Sequence, residues 1–281
     1  MKAKSQYSEV RTNACFSVIV ELMTYLKKYS QHIVLVGGWV PYFLYGDTKT
    51  EERKHVGSLD VDLALNFLLI PEQDYQTIAE ILETRGYKNR KDRSGNIIPA
   101  SFERTFMDEN NTRQIVQVDF LTSEYGGTGK DKRHQRIQDI LARKGRGIDL
   151  VFENCIKREL EARLPNGAMN RIKLKIANLC SILATKGFAF HERASEKDAY
   201  DIYWLLKNHP TGEAEIIKEL SRMKNDQLFI QGINYIKESF KNLDSLGPVA
   251  VANFMEPIDP EEREIILRDS YETVNRILNK L

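Results

Sequence analysis

The stretch "HIVLVGGWVPYFLYG", residues 32–46, is followed after a short charged segment by "GSLDVDLAL", residues 57–65. "HIVLV" is short, apolar and rich in β-branched residues, the composition of a strand buried on both faces. It stops at Gly37 and Gly38, and the aromatic stretch beyond them predicts a helix that starts at the glycines. "LDVDLAL" alternates apolar and acidic residues and predicts a second strand. Strand, glycine turn, helix and strand point to an α/β (α+β) arrangement built on a short mixed sheet.

Working outward, residues 6–28 place Val10, Cys15, Val18, Ile19, Leu22 and Leu26 at helical spacing, which predicts a covering helix. Residues 71–85 open with Pro71, carry Tyr75, Ile78, Ile81 and Leu82 on one face and stop at Gly86, as a crossover helix would. "SFERTF" and "RQIVQVDFL" flank the polar "MDENNT" and predict two antiparallel strands joined by a turn. The glycine-rich, basic residues 124–147 resemble a domain boundary. Beyond it "IDLVFE" and "RIKLKIANL" are expected as strands, and helical patterns continue to the end. The expected division is a domain at 1–150 and a mainly helical region at 151–281.

At 281 residues, 42% hydrophobic and 29% charged, the chain can bury a proper core as a soluble globular protein. A net charge of +1 supplies no global pull toward nucleic acid or an anionic membrane, so any phosphate affinity must come from local patches. Cys15, Cys155 and Cys180 are far apart and lack zinc or redox spacing, which fits a reducing cytoplasm. His32, His55, His134, His191 and His209 show no metal-ligand spacing either. The apolar run "ACFSVIV" ends at Glu21, and no stretch approaches the ~18 apolar residues of a membrane span. Neither secretion nor membrane insertion is expected.

A strand period of two puts Asp60 and Asp62 on one face and Val61, Leu63 and Leu65 on the other. At about 3.3 Å per residue their Cα atoms stand roughly 6 to 7 Å apart, close enough to share cations. In "IVQVDFL" the buried row is Val116, Val118 and Phe120, and Asp119 shares the opposite face with Gln117. If the two strands are neighbours, three carboxylates converge, a costly arrangement that divalent cations neutralise in phosphoryl chemistry. Asp60, Asp62 and Asp119 are therefore the expected ligands of Mg²⁺ or Mn²⁺. Gly37 and Gly38 allow two readings: a cradle where backbone approaches a phosphate, or a tight turn with no ligand.

With these residues in view, "VGG" at 36–38, "SLDVDL" at 58–63 and "VQVDF" at 116–120 resemble the nucleotidyltransferase superfamily of the DNA polymerase β type. "KGFAFHER", residues 186–193, and "KDAYDIYWLL", residues 197–206, are similar to the later motifs of the AbiEii-like nucleotidyltransferase toxins. The resemblance spans roughly residues 30–208. It implies the nucleotidyltransferase fold, with catalysis by Asp60, Asp62, Asp119 and Lys186. It also implies nucleotide binding by Gly37, Gly38, Ser58, Lys186, Arg193, Asp198 and Asp201, and a helical region that completes the cleft for NTP and acceptor. Two departures stand out: 21 residues separate Gly38 from Asp60, and Val56 occupies a position where the toxins often carry Arg, with Lys54 and His55 beside it as candidate substitutes.

Other residues in the second half carry paired readings. Lys186, Phe190 and Arg193 form one helical stripe that can present two cations to a triphosphate. Ser195 and Asp198 also match a capping signature, which would make Asp198 a cap residue. Asp201 either orients Lys186 or Arg193, as the resemblance implies, or makes a surface ion pair. Tyr200, Tyr203 and Trp204 suit core packing better than base stacking. Residues 130–146 hold seven Lys or Arg, either an RNA track or a solvated helix face.

The functional expectation is an enzyme that moves a nucleoside monophosphate from an NTP to an acceptor hydroxyl. By resemblance, RNA, especially tRNA, is the acceptor, and a separately encoded antitoxin is the partner. The alternatives are a nucleotidyltransferase acting on a small molecule such as an antibiotic, and a nucleotide-binding module without turnover.

Overall fold

The computed structural model describes residues 3–46, 54–66, 69–70, 77–124, 134–137 and 140–281. The chain packs as two compact units, each drawn from separate stretches of sequence. A sheet unit comprises Ser8–Trp39 and Ser58–Ala177, and a helical unit comprises Met1–Tyr7, Val40–Gly57 and Asn178–Leu281. This division differs from the cut near residue 150, because the strands between 155 and 177 hydrogen-bond into the sheet.

With elements numbered in chain order, the sheet unit holds β1 (Ile33–Val36), β2 (Asp60–Leu65), β3 (Tyr87–Lys91), β4 (Ile97–Met107), β5 (Arg113–Ser123), β6 (His134–Ile137), β7 (Ile140–Gly145), β8 (Cys155–Arg163) and β9 (Met169–Ala177). The main order is β3-β4-β5-β2-β1-β9-β8, and β7 pairs with both β5 and β6. β1 and β2 are antiparallel, β2 and β5 parallel, and β1 and β9 parallel, so the sheet is mixed as expected.

Helix α1 (Glu9–Tyr25) covers the sheet with Cys15, Val18, Ile19, Leu22 and Met23, all buried. Each fully buried Val, Ile or Leu contributes about 1.5–3 kcal/mol, which is what holds α1 in place. The same helix buries Glu21, whose carboxylate accepts from Tyr87 Oη at 2.6 Å and from Arg104 Nε at 3.0 Å and Nη2 at 3.1 Å. A buried carboxylate is tolerated because these donors replace its water.

Three expectations need correction or restriction. "IDLVFE" forms the short helix α4 (Asp149–Glu153), with Leu150 and Val151 buried, because a brief apolar run carries no period that separates strand from helix. The segment 124–147 is expected as a domain boundary, whereas its described residues 134–137 and 140–145 are β6 and β7, antiparallel to each other, with β7 parallel to the end of β5. Of the helix expected over 71–85, the described part is α3 (Ile78–Thr84), started by a capping box between Thr77 and Glu80. Pro71 and Tyr75 lie outside the described residues.

The helical unit contains α2 (Val40–Tyr45), α5 (Leu179–Arg193), α6 (Glu196–Lys207), α7 (Glu213–Ser221), α8 (Gln227–Ser239), α9 (Leu246–Met255) and α10 (Pro260–Leu278). α5 starts where the Asn178 side chain accepts the Ser181 N–H at 3.0 Å, and it stops at Ala194, whose φ is +50°. α5 crosses α8 at two glycines. A Cβ on Gly187 would lie 2.1 Å from the Gly232 carbonyl oxygen, and one on Gly232 would lie 2.6 Å from that of Ala184. The backbones therefore touch, which only glycine permits.

Tyr200, Tyr203 and Trp204 of α6 are buried, in agreement with the core reading. No disulfide joins the three cysteines, of which Cys15 and Cys180 are buried. Among the described residues no helix is long and apolar enough to cross a membrane.

Candidate active site

In the sheet unit, strand register brings the predicted acidic residues together. Val36 pairs with Asp62, Asp62 with Asp119, and Asp119 with Ser101, so one row runs across β1, β2, β5 and β4. Asp60 is beside Gln117 in the same parallel pairing. Since adjacent in-register positions share a face, Asp60, Asp62 and Asp119 lie on the same side of the sheet, while Val61, Leu63, Val118 and Phe120 are fully buried on the other.

Sharing a face is not the same as closing into a cage. Among the described residues no three His, Cys, Asp or Glu side chains are gathered as a metal-ligand group, and the three carboxylates lie along one face of the paired strands. Two of the three carboxylates are held by named donors. Ser58 Oγ donates to Asp60 Oδ1 at 2.5 Å, Ser101 Oγ donates to Asp119 Oδ1 at 2.5 Å, and Gln117 Nε2 donates to Asp119 Oδ2 at 2.7 Å.

The donor chemistry nevertheless suits a hard divalent cation, which prefers carboxylate oxygens. A carboxylate has about four lone-pair sites, so Asp119 can keep both hydrogen bonds and still present lone pairs to an ion. Gly37 follows the row at Val36 and has φ +72°. A Cβ there would stand 2.1 Å from Asp62 Oδ2, so the missing side chain makes room for the carboxylate. This revises the cradle reading of Gly37, whose open space is filled by Asp62. Gly38 is buried in the turn of Gly37–Trp39, and the helix after it has only six residues. Ser58, expected to contact nucleotide, is buried and spends its hydroxyl on Asp60.

In the helical unit, the later predicted residues form a buried ion cluster. Lys186 Nζ lies 2.6 Å from Asp198 Oδ1 and 2.7 Å from Asp201 Oδ2. Arg193 reaches Asp198 Oδ2 through Nε at 2.8 Å and Nη2 at 2.7 Å. Lys197 pairs with Asp201 Oδ1 one helical turn away and sits among the rings of Tyr7, Tyr200 and Phe254.

The surface-pair reading of Asp201 therefore fails, since its side chain is fully buried and clasps Lys186. The capping reading of Asp198 fails too. Ser195 is the N-cap of α6 but makes no side-chain cap bond, and Asp198 is spent on Lys186 and Arg193. Lys186 and Arg193 do not form an equally exposed stripe: Lys186 is 6% exposed and Arg193 54%.

His55 completes the cluster, a role that sequence spacing did not reveal. Its Nδ1 accepts the Gly57 N–H at 3.1 Å, which leaves Nε2 as the protonated nitrogen that donates to Asp201 Oδ1 at 2.9 Å. Tyr200 stacks on the ring and Trp204 meets it edge-on. Burial, with Lys197 nearby, lowers the His55 pKa to about 4 despite the pull of Asp201. Burial alone would raise Asp201, but Lys186, Lys197 and His55 outweigh it and hold the carboxyl well below the usual range. Lys186 is pushed upward, because Asp198 and Asp201 outweigh its desolvation. Lys197, whose burial dominates, is lowered.

The profile of the family described as "Nucleotidyl transferase AbiEii toxin, Type IV TA system" matches residues 24–279, nearly the whole chain. The protein belongs to the AbiEii nucleotidyl transferase toxin family. No curated protein matches the chain. Membership makes the AbiEii-family chain a nucleotidyltransferase of a type IV toxin–antitoxin system, and its mixed sheet with flanking helices is consistent with that fold.

Proposed function

We propose that this protein transfers a nucleoside monophosphate from an NTP to a hydroxyl of RNA, with tRNA as the first acceptor to test. The carrying observation is the row of Asp62 and Asp119 in direct register, flanked by Asp60, on the half-buried side of β2 and β5. In this reading Asp60, Asp62 and Asp119 hold Mg²⁺ or Mn²⁺, which supplies charge neutralisation at the triphosphate and lowers the pKa of the attacking hydroxyl. The chain's own contribution is positioning. Ser58, Ser101 and Gln117 fix the carboxylates, Gly37 admits the Asp62 side chain, and Lys186 is held in one place by two aspartates. Arg193, half exposed at the end of α5, is the cation of the helical unit that this reading assigns to the nucleotide.

RNA as acceptor is supported by the resemblance and by the cations of β7 and its end, where Arg143 and Arg146 are exposed. A cognate antitoxin follows from the type IV assignment. The test is incubation with each labelled NTP, Mg²⁺ and total RNA. Label appearing in a tRNA-sized band, and lost with Asp60→Ala, is the expected result. Label that enters no RNA but modifies an added aminoglycoside would replace RNA by a small acceptor.

A further inference from the structure

Both carboxylate oxygens of Asp119 are claimed by side-chain donors, and one of those donors is itself held. Ser101 is 3% exposed, lies directly opposite Asp119 in the β4–β5 register and donates to Oδ1. Arg90 Nη1 in turn donates to Ser101 Oγ at 3.0 Å. A hydroxyl has one proton to give. With the guanidinium occupying a lone pair of Oγ, that proton is left to point at Asp119. The backbone immediately before Ser101 is unusual as well: Ala100 is buried with φ +64°, a conformation that costs an L-residue about 1–2 kcal/mol. The strand departs from regular geometry at the residue that delivers the hydroxyl.

We infer that Ser101, locked by Arg90, is a positioning residue for Asp119 that fixes which carboxylate lone pairs face a bound divalent cation. The inference rests on the proposed metal role of Asp119. Partners of this kind orient a ligand without touching the metal, and removing one typically weakens metal affinity or activity about 10- to 100-fold. Ser101 therefore contributes through Asp119 alone, and a residue that merely packs the sheet would not alter ion binding.

The experiment titrates Mn²⁺ into the full chain and follows bound ion by electron paramagnetic resonance, alongside the Mg²⁺ dependence of nucleotidyl transfer. Ser101→Ala is expected to weaken Mn²⁺ binding about tenfold or more and to raise the Mg²⁺ half-saturation by a similar factor, with much of the turnover recovered at high Mg²⁺. Ser101→Thr, which keeps the hydroxyl, should restore binding. Arg90→Ala should move both readouts the same way by a smaller factor, and serves if Ser101→Ala does not fold. A folded Ser101→Ala protein, or an Arg90→Ala protein in its place, that binds Mn²⁺ within twofold of wild type overturns the inference. Asp119→Asn separates the two levels. If it binds Mn²⁺ as wild type does, the metal role of Asp119 itself is wrong.

Discussion

Gly37 and Asp62 occupy the same space: the position a Cβ would take on Gly37 is 2.1 Å from Asp62 Oδ2 and 2.9 Å from its Cγ. Gly37→Ala therefore strains a backbone at φ +72° and collides with the carboxylate. Transfer activity should fall sharply, and the unfolding midpoint should drop. In an Asp62→Ala background the clashes with Oδ2 and Cγ are gone and only the 3.0 Å approach to the Cβ of residue 62 remains, so Gly37→Ala should cost less stability there. A double-mutant cycle by urea unfolding measures the difference, and strict additivity would show that the two residues do not interfere.

The buried ion cluster makes unequal predictions for its members. Asp201→Ala leaves Lys186 and Lys197, 6% and 8% exposed, short of a counter-charge. The expected loss is about 3–5 kcal/mol of unfolding free energy. Arg193 is 54% exposed, and Asp198 keeps Lys186 without it, so Arg193→Ala should cost about 0–1 kcal/mol. A folded Arg193→Ala protein whose transfer rate drops more than tenfold would place the guanidinium on substrate. An unchanged rate would remove it from the site.

His55 ties stability to pH with a definite sign. The folded chain keeps this histidine neutral down to about pH 4, whereas its ordinary value is 6.5. Between those limits the unfolded chain binds the extra proton, so stability is full above pH 6.5 and declines as pH falls toward 4. The ceiling on the loss is about 3 kcal/mol. The charged groups facing the ring are Asp201, Lys197 and Lys186, with Tyr200 and Trp204 packed against it. His55→Asn should be less stable at pH 7.5 and should show a shallower decline between pH 6.5 and 4.5 in urea titrations. Equal slopes for the two proteins would refute the neutral, buried assignment.

Gly232→Ala tests the α5–α8 crossing. In an isolated helix the change is favourable by about 1 kcal/mol. Here the new Cβ meets Ala184 backbone at 2.6 and 2.8 Å, and overpacking of this kind costs about 1–3 kcal/mol. The thermal midpoint should fall, and a rise would mean that α8 can back away freely.

Much of the sheet was legible because period and punctuation agree. β1 ends at Gly37, β2 alternates about Asp60 and Asp62, and β4 and β5 flank a polar turn, so the acidic face is legible in the sequence itself. β8 went unread because its outward positions, Lys157, Glu159, Glu161 and Arg163, make "CIKRELEAR" look polar throughout. The place of His55 and Lys197 in the buried cluster was not legible for a different reason. Asp201, the partner of His55, is 146 positions away in sequence, and no local spacing encodes that contact; Lys197 is one helical turn from Asp201, but the spacing of an i,i+4 pair does not say that it is buried. Asp198 misled in the opposite sense, since its distance from Ser195 fits a cap that the folded helix does not make.

The interleaving of the two units, with the chain crossing between them after Tyr7, Trp39, Gly57 and Ala177, limits how this protein can be dissected. No single cut yields either unit from one contiguous piece. A fragment beginning at Asn178 would carry Asp201 but lack His55 and α2, and a fragment ending at Ala177 would retain the acidic row with a stranded Val40–Gly57 excursion attached. Truncation mapping would therefore report broken halves of both units, and a toxin severed there should regain activity only when its two pieces are co-expressed.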